Sequence, residues 1–119
     1  MKKKKKIYLQ KKKRYLKACV GNSEKPRLSV FRSHKHIYAQ LIDDQHSHTL
    51  AFSSTLKKEI AQNLPSTATQ EAAFQVGQNL AKQALIKQIQ TVVFDRSFRP
   101  YHGRIQKVAE GARQGGLVF

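Results

Sequence analysis

The sequence predicts an α/β domain on a mixed sheet, with three antiparallel strands and one parallel strand in the order β-β-β-α-β-α. Two observations predict this class. Apolar residues alternate with a period of two from residue 27 to residue 53, and they recur at helical spacing after residue 70. A length of 119 residues corresponds to one domain. We therefore expect a single globular domain over residues 25–119, preceded by a basic arm over residues 1–24.

The first three strands follow from alternation along the chain. The alternating sets are Leu28, Val30 and Arg32 with Ser29 and Phe31; Ile37, Ala39 and Leu41 with Tyr38, Gln40 and Ile42; and Leu50 and Phe52 with Thr49, Ala51 and Ser53. The connections between them, residues 33–35 and 43–47, are short and polar, as hairpins require. These strands are therefore predicted to form an antiparallel meander.

A helix is predicted next, because Thr67 and Gln70 have the spacing of a capping box. Its apolar stripe consists of Ala73, Val76, Leu80 and Ala84. Gly77 lies among these residues and is expected to let the helix approach the sheet closely. The stripe has few large residues, which also predicts tight packing on the strands.

A second strand-to-helix unit completes the domain. The run Val92-Val93-Phe94 is wholly apolar, which is typical of a strand buried on both faces. The long helix before it predicts a right-handed crossover and parallel pairing. A last helix is predicted from the stripe Ile105, Val108, Ala109 and Ala112, and it ends at Gly115-Gly116.

Charge is the strongest indication of function. The chain carries 23 Lys and Arg against 7 Asp and Glu, a net charge of +16 with a pI near 10.4. Residues 1–27 hold 12 of the bases and one acid, whereas residues 28–95 hold six bases and five acids. So basic a domain repels itself unless a polyanion neutralises it. Nucleic acid is therefore the leading partner, with an anionic membrane surface second.

Several classes are disfavoured by the sequence. No stretch approaches 18 apolar residues, so no membrane span is expected. The charged start leads into no apolar segment, so neither a secretory signal nor a transit peptide is predicted. The single cysteine, Cys19, cannot form an internal disulfide, which favours a reducing compartment. No nucleotide-binding motif or small-molecule substrate site is apparent.

The arm contains two lysine-rich runs, Lys2 to Lys6 and Lys11-Lys12-Lys13-Arg14. Adjacent ammonium groups cannot all be buried, so the arm alone is expected to be disordered. Apolar residues between the cations of residues 7–20 would suit a basic helix formed with a partner. A solvated tail or a nuclear-localisation signal is the alternative for a lysine run by itself.

The segment from Asp95 to Arg104 joins the last strand to the last helix, where α/β sheets present ligand-binding loops. It holds three arginines, two aromatic residues and a histidine. Guanidinium groups bind phosphates in a forked geometry, and aromatic rings stack on unpaired bases. We therefore predict an RNA contact here, although Phe98 and Tyr101 would also serve to cover the sheet edge.

Metal and enzyme sites are weakly supported. The five histidines lack the Cys or carboxylate spacing of a metal site, so none is predicted. Asp43, Asp44 and Asp95 at strand ends suit a magnesium-dependent nuclease, which stays the alternative function. The polar positions of the first strand carry Arg27, Ser29 and Arg32 rather than an acid, which argues against it.

Three runs in the chain resemble the family of large-subunit ribosomal protein eighteen. They are residues 25–33 continuing to His36-Ile37-Tyr38-Ala39-Gln40; Phe94-Asp95-Arg96; and Tyr101-His102-Gly103-Arg104 with a final Gly116-Leu117-Val118-Phe119. The resemblance covers about residue 13 to the end. It implies a mixed α/β fold, binding to 5S rRNA, attachment of that RNA to 23S rRNA in the central protuberance, and no catalysis or cofactor.

Matched positions and local charge together give the predicted RNA-binding residues. They are Lys11, Lys12, Lys13, Arg14, Arg27, Arg32, Ser33, Arg96, Arg99, Tyr101, His102, Arg104 and Lys107. Neighbouring large-subunit proteins are expected as further partners, and a membrane is not. Where the family has two glycines after its Asp-Arg pair, this chain has Ser97-Phe98, so any positive-φ geometry there is not carried over.

The residue composition also bears on where the protein works. Lysine outnumbers arginine by 16 to 7, which suits an A/T-rich genome such as that of an organelle. Together with the resemblance, this predicts a ribosome in a plastid stroma or in a bacterial cytoplasm.

Overall fold

A computed structural model describes residue 10 and residues 20–61, 69–96 and 101–119 of the chain. The strands are β1 (Arg27–Arg32), β2 (Ile37–Asp43), β3 (His48–Ser54) and β4 (Val93–Asp95), and the helices are α1 (Lys58–Ala61), α2 (Gln70–Ile86) and α3 (Gly103–Gln114). The predicted order is confirmed, with α1 as an additional single turn. In these ranges, no helix is long and apolar enough to cross a membrane.

The four strands form one mixed sheet in the order β3-β2-β1-β4. β1 pairs antiparallel with β2, and β2 with β3, while β4 pairs parallel with β1. The predicted combination of three antiparallel strands and one parallel strand is confirmed. The expectation that β4 is buried on both faces was wrong, because β4 is an edge strand in which Val93 and Phe94 are only half-buried.

The hydrophobic core lies between one face of the sheet and the helices. Every second residue of β1 and β2 is buried, namely Leu28, Val30, Ile37, Ala39 and Leu41. The predicted stripe of α2 lies against them and is fully buried. The predicted stripe of α3 is buried as well. The opposite face of the sheet, called the open face below, is covered by no helix within the described ranges.

The two long helices approach each other closely through glycines. A Cβ atom at Gly77 would overlap the carbonyl oxygen of Val108 in α3, and one at Gly111 would overlap the carbonyl oxygen of Phe74 in α2. The expectation that Gly77 lets α2 approach the sheet was therefore wrong, because the element that approaches Gly77 is α3. Gly77 serves helix-to-helix packing against the middle of α3.

α2 begins later than the sequence indicates. Its N-cap is Thr69, whose hydroxyl oxygen accepts a hydrogen bond of 3.2 Å from the Ala72 N–H, and Gln70 is the first helical residue. Gln70 therefore does not hold the third helical position that a capping box requires. Thr67, the expected N-cap, lies outside the described residues.

A bulge determines which face each residue of β3 occupies. Ala51 pairs with Leu41 and Thr49 pairs with Ile42, so Leu50 has no partner across the ladder and packs against the core. Ala51 and Ser53 are buried. Phe52, the largest residue of this strand, consequently lies on the open face with 43% of its surface exposed.

Candidate nucleic-acid interface

A basic groove lies where β1 ends and α3 begins. Its lining residues are Arg32, Ser33, His34 and Arg104, and its volume is about 450 Å³. Arg32 is the last residue of β1, and the tight turn that follows is held by the Ser33 N–H, which donates to the His36 carbonyl at 2.8 Å. β4 runs parallel to β1, so both strands point towards this end of the sheet, where Arg104 lies.

Arg104 is fixed in the groove by the body of the protein. Its Nη1 donates a hydrogen bond of 3.0 Å to the Ser33 carbonyl, which ties the first turn of α3 to the turn after β1. Burial, together with the positive charge of Arg32, lowers the pKa of Arg104 from its ordinary value. Neither arginine forms an ion pair with an acid within the described part of the chain. Two neighbouring, uncompensated guanidinium groups form a site suited to a phosphate.

The first turn of α3 adds backbone donors to this end of the molecule. His102 is the N-cap in extended conformation, and its side chain makes no capping hydrogen bond. Gly103 has a φ of +59°, a value that favours glycine, while a Cβ atom there would meet nothing within 4 Å. The helix N-terminus is thus open to an anion, which its dipole favours.

Arg27, at the other end of β1, has different surroundings. Its Nε and Nη2 donate to the two carboxylate oxygens of Asp44, each at 3.1 Å, and its Nη1 donates to Asp95 at 2.7 Å. Burial acts to lower the pKa of Arg27. The hydrogen bonds to Asp44 and Asp95 and the attraction of their negative charges outweigh burial, so the pKa of Arg27 is raised overall. We refer to Arg27, Asp44 and Asp95 as the arginine–carboxylate cluster.

The same cluster holds the start of the described domain. Burial acts to raise the pKa of Asp44, but hydrogen bonds from Arg27 and from the Gly21 N–H lower it overall. The Gly21 bond measures 2.7 Å. Asp44 and Asp95, two of the three carboxylates considered for a nuclease, are therefore used inside the fold, and the described residues contain no group of three or more potential metal ligands.

Tyr101 packs against the edge of the sheet. Its ring meets Phe94 edge-on at 5.9 Å between centroids, and its hydroxyl accepts a hydrogen bond of 3.0 Å from Arg113. Phe94 in turn stacks on Phe119 at 5.5 Å. With 39% of its surface exposed, Tyr101 covers the edge and still presents part of its ring to solvent.

The structure brings together three of the predicted RNA-binding residues, namely Arg32, Ser33 and Arg104. Lys107 lies apart from them, in a second hollow of about 260 Å³ with Gln70, Glu71 and Phe74, and forms an ion pair of 3.0 Å with Glu110. Arg96 directly follows β4. The remaining predictions, Lys11, Lys12, Lys13, Arg14 and Arg99, lie outside the described residues.

His34 was not among the predicted RNA-binding residues. The sequence raised His34 only as a possible metal ligand, and a histidine in a polar turn needs no special role. Its position directly after Arg32 and Ser33 is the signal that was available, because a residue of the same tight turn must lie near the same groove.

Comparison with known proteins shows similarity to one family along nearly the whole chain. The family described as ribosomal L18 of archaea, bacteria, mitochondria and chloroplasts matches residues 2–119. The large ribosomal subunit protein uL18 of Synechocystis is 56% identical over 99 residues, covering 83% of this chain and 82% of the relative. That of Thermotoga petrophila is 50% identical and covers 98% and 95%. The uL18c protein of Cyanophora paradoxa is 56% identical and covers 83% of each.

Proposed function

Because the chain belongs to the ribosomal L18 family, we propose that it binds 5S rRNA and helps to attach it to 23S rRNA in the central protuberance. Membership of the family makes it a structural, non-enzymatic protein of the large ribosomal subunit, with rRNA and other ribosomal proteins as partners. Its relatives come from bacteria and a plastid, so its ribosome is that of a bacterial cytoplasm or a plastid.

The observation that carries this proposal is the Arg32–Arg104 pair. Two guanidinium groups lie in one groove, and one of them is held by the Ser33 carbonyl rather than by an acid. A phosphate entering the groove would relieve their mutual repulsion and accept forked hydrogen bonds from both. Since both residues are anchored on rigid elements, the groove favours an RNA backbone of one particular shape.

The predicted arm has a different part in the proposal. Its lysines are point charges without forked geometry, so we assign them a non-specific electrostatic contribution. The division into an arm of residues 1–24 and a domain of residues 25–119 remains part of this proposal. Removal of residues 1–13 should leave cooperative unfolding intact and weaken binding to 5S rRNA and unrelated RNA alike.

The other predicted RNA-binding residues remain proposals, and their surroundings in the structure differ. Arg96, Arg99 and His102 precede Arg104 by at most eight residues in the sequence, which supports a role beside Arg104. Tyr101 presents only part of its ring, and Lys107 has an acidic neighbour, Glu110. Arg27 donates to two carboxylates, which favours a role in the fold.

The test compares single variants against two RNAs. Arg32→Ala and Arg104→Ala should each weaken binding to 5S rRNA by on the order of 1–3 kcal/mol, and much less for an unrelated RNA of equal length. Arg104→Lys should recover only part, because the charge returns without the fork. Lys82→Ala removes one exposed positive charge from α2 and serves as the matched control.

Equilibrium titrations at near-physiological salt give the required dissociation constants. Failure of the unaltered protein to bind 5S rRNA would contradict the proposed function. If the Arg32 and Arg104 variants lose equal affinity for 5S rRNA and for unrelated RNA, the groove contributes only non-specific electrostatic attraction. Its assignment as a specific 5S rRNA contact would then be wrong.

A further inference from the structure

The open face of the sheet carries aromatic rings on three neighbouring strands. Phe31 on β1 lies directly opposite Tyr38 on β2, with ring centroids 5.8 Å apart. Phe52 on β3 lies opposite Gln40, the next open-face residue of β2. Phe31 is 62% exposed and Phe52 is 43% exposed. Neither ring is needed to fill the core, so the fold alone does not account for these two side chains.

The residues between the rings are polar and neutral. Ser29 lies opposite Gln40 on this face, and Ser54 lies opposite Tyr38. Asp95 also shares the face, but its carboxylate accepts a hydrogen bond from Arg27 at 2.7 Å. Ser54 is fully buried, whereas Ser29 and Gln40 are half-buried. The hydroxyl group of Ser29 and the amide group of Gln40, beside exposed rings, supply donors and acceptors for the edge of a flat, polar ligand.

A cation borders the face at Phe52. The Lys57 ammonium lies 6.0 Å from the centre of the Phe52 ring and donates to the Phe52 carbonyl at 2.8 Å. A ring with an adjacent ammonium group suits a ligand that combines an aromatic surface with negative charge. A nucleotide has both.

We propose that the open face binds unpaired nucleotides of RNA, whose bases stack on Phe31 and Phe52. This inference rests on the proposed rRNA-binding function and adds a second contact of a different kind. The Arg32–Arg104 groove takes phosphates, whereas the open face takes bases. Aromatic side chains on a sheet stack on bases that are free of Watson–Crick pairing, and every base has a suitable ring face.

Charge and composition favour RNA over a protein partner on this face. The chain has a net charge of +16 and the face carries no uncompensated acid among its described residues, so an anionic ligand is attracted. A protein interface would present a continuous apolar centre. Here the polar residues Ser29 and Gln40 lie beside the rings on the exposed surface instead.

The experiment uses the full chain and two labelled probes, single-stranded hexauridylate and a duplex RNA of the same length. Phe31→Leu and Phe52→Leu keep apolar volume but remove the ring. Each should weaken hexauridylate binding about 5-fold or more, since stacking on one ring contributes about that much or more. Phe31→Tyr should restore it. Duplex binding should stay within about 2-fold of the unaltered protein, because paired bases cannot stack on the face.

The control is Ile86→Ala, which truncates an apolar side chain that is 78% exposed at the end of α2. It should leave hexauridylate binding unchanged. Thermal unfolding of each variant shows that the fold persists, as expected for substitutions at exposed positions. Phe31→Tyr provides a second reading should Phe31→Leu unfold, because a stacking site must accept tyrosine.

Three results would overturn the inference: no hexauridylate binding by the unaltered protein, Phe→Leu variants that bind it as the Ile86 control does, or Phe31→Tyr that fails to bind. Titration of 5S rRNA in the same series separates this outcome from failure of the proposed function. An unaltered protein that binds 5S rRNA while the Phe variants leave hexauridylate binding unchanged would contradict only the base-stacking face.

Discussion

β1 begins and ends with arginine, and the two side chains serve different ends of the molecule. Arg27 donates hydrogen bonds to Asp44 and Asp95, so three of its N–H groups are used within the fold. Arg32, five residues later, has Arg104 rather than an acid beside it in the groove. Along a strand this separation is roughly 17 Å. The two sites are therefore independent, although they share one strand.

The difference shows that the surroundings of an arginine, rather than its presence, decide its role. Asp44 lies in the turn after β2 and Asp95 lies on β4. Because both acids accept hydrogen bonds from Arg27, this arginine links parts of the domain to one another. Among the described residues neither Arg32 nor Arg104 pairs with an acid, and Arg104 is anchored through the Ser33 carbonyl, so their groove carries positive charge that these residues do not balance. We expect substitutions at the first site to change stability and substitutions at the second to change RNA binding.

The largest expected effect is the loss of stability in Arg27→Leu. This variant removes the Arg27 cation from the carboxylate of Asp95, whose side chain is 4% exposed. Removing one member of a largely buried ion pair costs several kcal/mol, and partial exposure of Arg27 places the loss at about 2–4 kcal/mol. Urea unfolding at neutral pH measures it. Arg32→Leu is the matched control and should change stability by less than about 0.5 kcal/mol.

Similar losses of stability in the Arg27 and Arg32 variants would break this comparison. So would an Arg27→Leu protein that unfolds at the same urea concentration as the unaltered chain, since the arginine–carboxylate cluster would then be dispensable.

A smaller loss of about 1 kcal/mol is expected for Gly103→Ala, because φ is +59° at this residue and L-residues with a Cβ atom avoid that region. The strain falls on the turn that positions Arg104, so 5S rRNA binding should weaken as well. Gly103→Asn should be milder in both measurements, since asparagine tolerates positive φ better. Equal effects of Ala and Asn would show that backbone conformation at Gly103 does not matter for the groove.

Acid sensitivity should also originate at the arginine–carboxylate cluster. The pKa of Asp44 is lowered in the folded state, so the unfolded chain binds more protons as pH falls. Stability contributed by Asp44 is therefore complete well above pH 4 and is lost as pH falls through its folded-state pKa. Asp44→Asn should be less stable at pH 7 and should lose less on acidification. Parallel stability curves for the two proteins would contradict this origin.

Local patterns of apolar residues in the sequence predicted most of the fold. The strict alternation of β1 and β2 predicted their buried faces, and helical spacing predicted the stripes of α2 and α3. Alternation alone did not assign the faces of β3, because the bulge at Leu50 interrupts the period of two. Gly77 predicted a close approach without identifying the neighbour, since a missing Cβ atom is compatible with a sheet or a helix.

The candidate site was also predicted only in part from local sequence patterns. Arg32, Ser33 and Arg104 belong to motifs that can be identified in the sequence. The partners of Arg27 are 17 and 68 residues away in sequence, so only the tertiary structure shows that its charge is compensated. The role of Phe52 likewise depended on the bulge, which no residue pattern indicated.

The most direct test of the division between the two arginines is the salt dependence of 5S rRNA binding. We expect the slope of log affinity against log salt concentration to become shallower by about 0.7–0.9 in Arg32→Ala, the change for one lost phosphate contact. Under conditions in which Arg27→Ala remains folded, its slope should equal that of the unaltered protein. If Arg27→Ala lowers the slope as much as Arg32→Ala does, both arginines contact phosphate and the proposed division of roles is wrong.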